Sequence, residues 1–149
     1  MQYNLSVNTV QARLIEKALD LYIRMRIGQW QTLEDICLDF GLDVEEYLDR
    51  KDKIHEALAK ARAVCYPDIG GSLNCSYGVG KFDDTRIVYD ILQVLRHRVA
   101  WTEHPEGGSS LDFAPATRFS DFPLPVCTAD ETVGKSNSTR KKTTRKPKK

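Results

Sequence analysis

Arginine, aromatic and amide residues gather in differing combinations at three places in the chain. Arg24 and Arg26 close an amphipathic run, and Gln29 and Trp30 follow at once. Asn74, Ser76 and Tyr77 lie in a glycine-rich stretch, and Arg96, Arg98 and Trp101 lie late in a second long amphipathic run. Guanidinium forks suit phosphates, aromatic planes stack on a base, and amides read its edge. Arg24, Arg26, Asn74, Tyr77, Arg96 and Arg98 are therefore the candidate ligand-binding residues, and the matching ligand is a small phosphorylated nucleotide. The competing reading is structural: Trp30, Tyr77 and Trp101 anchor a core, and the arginines pair with the chain's acids.

No complete catalytic motif accompanies this set. Asp90, Gln93 and His97 are spaced three and four apart, so they share one helix face. The expectation is an exposed stripe with an Asp–His contact. A histidine base needs a nucleophile beside it, and none is visibly paired with His97. Gly78-Val79-Gly80-Lys81 invites a phosphate-loop reading, but Phe82 stands where Ser or Thr is needed and the first glycine is misplaced. Such turns still present backbone N–H groups to anions. Residues 32–54 have the outline of a helix-turn-helix. The end that would meet DNA carries Asp43, Glu45 and Glu46, which phosphates repel. Cys37, Cys65, Cys75 and Cys127 form no C-x-x-C pair, and the histidines lack zinc spacing. Cys37 and Cys65 read as small core residues of helices in a reducing compartment. The expectation is a non-enzyme with no cofactor and no metal.

Four helices must carry these residues. Asn8 and Gln11 form a capping box before an apolar pattern that runs to Ile27, with Gly28 placed to end the helix in the left-handed region. A short helix capped at Thr32 has Leu33, Ile36, Cys37 and Phe40 as its apolar face and stops at Gly41. Asp43 caps a third helix, whose buried side is read as Val44, Tyr47, Leu48, Ile54, Leu58, Ala61, Val64 and Cys65. Pro67 ends it. Asp83 or Asp84 caps a fourth, which runs to about Thr102. One or two short strands are expected at Ser76–Val79 and Ser110–Phe113. Pro115, Pro123 and Pro125 give the segment after the fourth helix the character of an extended wrap. Its Phe113, Phe119, Phe122, Leu124 and Val126 need a surface to pack on. The fold class is thus mainly α (α+β).

The 149 residues suit one domain, read as 1–127, followed by a basic tail at 128–149 that is too polar to order itself. The formal net charge of +1 conceals an asymmetry. From Gly134 onward there are eight basic residues and no acid, which leaves 14 of the 22 basic residues against all 21 acidic ones in 1–133, a net of −7. Such a tail implies a weak, salt-sensitive contact with nucleic acid or a loose association with the acidic body. No apolar run reaches the roughly 18–20 residues that cross a bilayer, and the N-terminus lacks a secretory pattern. The expectation is a cytoplasmic chain with no membrane partner. The uncovered apolar arm points to a homo-oligomer.

Residues 18–36 (ALDLYIRMRIGQWQTLEDI), 73–80 (LNCSYGVG) and 86–101 (RIVYDILQVLRHRVAW) resemble, in this order, segments of small phage-encoded proteins. In size and helical layout the chain is similar to the Thoeris anti-defence sponge family. Members are homo-oligomers that trap cyclic nucleotide or cyclic ADP-ribose signals without cleaving them. The resemblance implies a long N-terminal helical part and a smaller strand-containing C-terminal part. It also implies ligand pockets at subunit interfaces, with Arg24 or Arg26, the Asn74–Tyr77 loop and Arg96 or Arg98 contributing. Two functions are in view: sequestration of a small phosphorylated ligand in the host cytoplasm, or a nucleic-acid-associated or protein-binding accessory role of the tail. Replacing the eight basic residues of 134–149 by glutamine separates them. Retention on DNA or RNA at low salt is expected to disappear, whereas uptake of a small nucleotide is expected to persist.

Overall fold

The computed structural model describes residues 3–38 and 43–129. It is mainly helical, with α1 at Thr9–Arg26, α2 at Gln31–Cys37, α3 at Val44–Cys65 and α4 at Asp83–Glu103. The basic run 134–149 lies outside the described residues, as do Phe40 and Gly41. α1 begins as its sequence dictates: Asn8 Oδ1 accepts from Gln11 N–H, and Gln11 Oε1 accepts from Asn8 N–H, both at 2.9 Å. It ends at Gly28, whose φ of +87° only glycine adopts without strain. A Cβ there would also stand 2.7 Å from Ile69 Cδ1. Asp43 caps α3 by accepting from Glu46 N–H.

α1 and α4 pack antiparallel, and Ile23, Ile27 and Leu92 form the centre of the core with Leu19, Val88 and Phe82 around them. Ion pairs flank this contact at three levels. Arg13 meets Glu103, Asp20 meets Arg96, and Arg26 meets Asp84. α4 does not start on an aspartate cap. Phe82 holds the cap position, and Asp84 Oδ1 takes Thr85 N–H instead.

The second junction joins α1, α2, α3 and the glycine-rich loop. Arg62 of α3 is 1% exposed. Its guanidinium donates to three backbone carbonyls: Gly28 O at 2.6 Å, Gly70 O at 2.8 Å and Cys75 O at 3.0 Å. Leu73, fully buried inside the same loop, accepts from Trp30 N–H and Gln31 N–H at the start of α2. Edge-on rings of Trp30, Tyr66, Tyr77 and Phe82, each about 6 Å from the next, run across this junction.

Several expectations yield here. No strand occurs among the described residues, so the anticipated strands at 76–79 and 110–113 are absent. The loop spends its polar backbone groups singly, as in Tyr77 N–H to Ile27 O, and not in a ladder. Residues 111–113 form a 3-10 turn. α2 starts at Gln31 on Trp30 without a Thr32 cap, and the side chain it buries is Glu34, held by His55 Nδ1 at 2.8 Å. Ile36, Cys37 and Cys65 are exposed, so neither cysteine is a core residue. α3 buries Arg62, while Val44, Leu48 and Val64 stay exposed.

The C-terminal arm packs on α4 through hydrogen bonds to its main chain. Asp90, expected on an exposed stripe, is buried. It accepts from Phe119 N–H at 2.7 Å, Ser120 N–H at 2.9 Å and Ser120 Oγ at 2.6 Å. Gln93 binds both polar backbone groups of Thr117, and Trp101 Nε1 donates to Phe113 O. Tyr89 packs edge-on against Phe119 and Trp101 against Phe113. Burial pushes the Asp90 carboxyl upward, but the Ser120 hydroxyl, the two backbone N–H groups and nearby Arg118 together outweigh it. The net result lies below the usual aspartate range.

Arg62→Met keeps the volume but strands three carbonyls, so it is expected to cost about 3 kcal/mol or more. The urea midpoint should fall with the slope unchanged, and Arg62→Lys should recover only part of the loss. Asp90→Asn should loosen the arm by about 2 kcal/mol, read as roughly thirtyfold faster tryptic cleavage after Arg118. Because the folded carboxyl is depressed, arm docking should persist above the ordinary aspartate value of about 3.9. It should fade as pH drops through the lower folded value.

Candidate functional site

The six sequence-predicted ligand residues fall into four separate surroundings. Arg24 and Arg96 share Asp20, with Arg24 Nε at 2.5 Å from Oδ2 and an Arg96 terminal nitrogen at 3.1 Å from Oδ1. Arg24 also reaches Gln29 Oε1 at 2.9 Å. Arg26 binds Asp84 Oδ2 at 2.8 Å and lies 4.3 Å over the Phe82 ring. The Arg26 guanidinium, with the Tyr22 hydroxyl, holds the Asp84 carboxyl below its usual range. Tyr77 meets Phe82 edge-on and is half-buried, with Lys81 Nζ 5.0 Å over its ring. Asn74 is exposed in the loop, its N–H 3.4 Å from Ser72 Oγ. Arg98 turns to the arm and donates from Nε to Cys127 O at 3.0 Å.

One pair is therefore brought together, Arg24 with Arg96 through Asp20, while Arg26 and Tyr77 each meet the Phe82 ring. The whole set does not converge. The charges of Arg24, Arg26 and Arg96 are already answered by carboxylates, which lowers their capacity to take a phosphate. Trp30 is buried and Tyr77 lies among packed rings, as the structural alternative requires, but Trp101 is exposed and is no core anchor.

Arg98 differs from the other three arginines. Its side-chain partner among the described residues is a carbonyl, not a carboxylate. It lines a groove of about 260 Å³ with Val94, His97, Trp101 and Cys127. Val94, His97, Arg98 and Trp101 follow helical spacing, so α4 presents them on one face, and the end of the arm adds the Cys127 wall. His97 Nδ1 lies 3.1 Å from Asp112 O. A carbonyl only accepts, so Nδ1 is the donor of this bond. The ring is edge-on to Trp101, with centroids 6.3 Å apart.

Chemically the groove offers one guanidinium, one oriented imidazole and an indole plane. Among the described residues no three His, Cys, Asp or Glu side chains cluster as a metal set would. Sequence reasoning had Arg98, His97 and Trp101 in view but missed Cys127 as a neighbour. The spacing of α4 holds the signal for the helical wall, and nothing in the arm announces the other. No helix among the described residues is long and apolar enough to cross a membrane. Compared with known protein families, with curated proteins and with solved structures, the chain has no significant match.

Proposed function

We propose that the protein is a non-catalytic binding protein and that the groove beside Arg98 takes the phosphate end of a small nucleotide-type ligand. The observation that carries this reading is the guanidinium of Arg98, whose charge no carboxylate answers among the described residues, set beside the plane of Trp101. A phosphate gains charge-assisted hydrogen bonds from such a fork, and a base or sugar finds an apolar face next to it. His97 supports retention over reaction. Its assigned bond orients the ring against a backbone carbonyl and activates no nucleophile. A groove of about 260 Å³ covers only part of a nucleotide, so the remainder of the ligand extends over the exposed surface of Trp101. The three segments that resemble phage proteins extend the reading. A signalling nucleotide held intact is withdrawn from the host response that depends on it.

The test is calorimetric titration of the full chain with cyclic nucleotides, ADP-ribose and inorganic phosphate. Arg98→Ala should weaken binding by about tenfold or more, the value of one or two charge-assisted hydrogen bonds. Trp101→Ala should weaken nucleotides while sparing phosphate. The bound molecule should leave the denatured protein with its mass unchanged. Equal binding by Arg98→Ala, or release of a cleaved product, would overturn the proposal.

A further inference from the structure

Two helix faces outside the groove have no cover among the described residues. On α1, Val10 is 71% exposed and Leu14 60%. With Arg13 and Lys17 they line a second groove, of about 270 Å³, closed at its far side by Glu103. Lys17 has no carboxylate partner among the described residues, whereas Arg13 is held by Glu16 and Glu103. On α3, Val44 is 77% exposed and Leu48 54%. Glu46 and Asp49 are neutralised along the helix by Arg50 and Lys53. Glu45 and Asp52 have no such partner among the described residues.

Spacing puts these features in register. On α1, Val10, Leu14 and Lys17 fall within one narrow stripe. On α3, Val44 and Leu48 form an equivalent pair, with Glu45 and Asp52 along one flank and Lys51 along the other. Each stripe is an apolar pair four residues apart. One is flanked by an unanswered cation and the other mainly by unanswered acids. Two such faces on one chain are complementary to each other but not to themselves. In a parallel self-pairing α1 would oppose Lys17 to Lys17 and α3 would oppose Asp52 to Asp52, each a like-charge cost, whereas α1 against α3 sets opposite charges together.

We infer that these faces are the two halves of a contact between copies of this chain. The α1 groove of one copy receives Val44 and Leu48 of the next, with Lys17 facing Asp52 and Glu45. Because the two halves are different surfaces, the contact either pairs reciprocally across a two-fold dimer or repeats head to tail into a ring or filament. The surfaces are separate from the groove beside Arg98, so this inference stands or falls independently of the ligand.

The geometry makes a sharp test available with the full chain and analytical ultracentrifugation. Wild type should sediment as a concentration-dependent dimer or larger species. Leu14→Asp and Leu48→Asp should each run as monomers, and both side chains are exposed enough for the fold to survive. An equimolar mixture should form a 1:1 dimer and nothing larger, since one good α1 face meets one good α3 face and both remaining faces are spoiled. Val10→Asp and Val44→Asp repeat the experiment if either first variant fails to fold, as judged by circular dichroism. A monomeric wild type, assembly that survives one of the two substitutions, or a mixture that stays monomeric would each overturn the inference.

Discussion

The guanidinium of Arg62 takes three carbonyls that come from three places in the chain: the residue after α1 and the two flanks of the glycine-rich loop. Nothing else among the described residues joins so many segments through one group. A buried cation is costly unless its donors are satisfied. The planar fork satisfies them in fixed directions, which a lysine ammonium on its flexible stem does not. The consequence reaches outward. With Gly28 and the loop pinned, Leu73 can accept from both amides at the head of α2, and Tyr77 can meet Phe82 over the end of α1. α3 is held by this junction and by the Glu34–His55 contact, so most of its length stands away from the α1–α4 core.

The α1–α4 pair is organised differently. Its stability comes from apolar burial around Ile23, Ile27 and Leu92. The three flanking ion pairs are partly exposed, and pairs of that kind contribute about 0–1 kcal/mol each. Their value lies in alignment. Sliding α4 by one turn would part all three at once.

How much of this was legible depended on whether neighbours in sequence carry the signal. The capping box at Asn8, the cap at Asp43 and the left-handed stop at Gly28 are local devices, and each is found where the residues indicate. α3 was legible as a helix but not in its buried face. Apolar periodicity favours Val44, Leu48 and Val64, whereas the interior takes Arg62, a charged residue among small alanines with no hydropathic mark. The candidate site suffered from the same blindness to distant partners. Arg96 meets Asp20 and Arg26 meets Asp84 across long separations in the chain, and those carboxylates decide which arginines retain an unanswered charge. The arm read correctly only in part as a segment needing a surface: Phe113 and Phe119 meet rings of α4, while Phe122 and Val126 stay exposed. That the surface would be a row of polar side chains gripping its backbone has no trace in the alternation of residues.

That row has a consequence for how binding would be controlled. His97, Arg98 and Trp101 each hold the arm and each line the groove, and Cys127 belongs to both. Arm docking and occupancy of the groove by the proposed ligand would therefore be thermodynamically linked, and the linkage reciprocal. Whatever fills the groove and favours the docked geometry must tighten the arm by the same factor by which the docked arm tightens it. A partner that pulled residues 112–127 away would remove one wall of the groove and discharge its contents without touching them, which makes the arm a release handle as well as a strap.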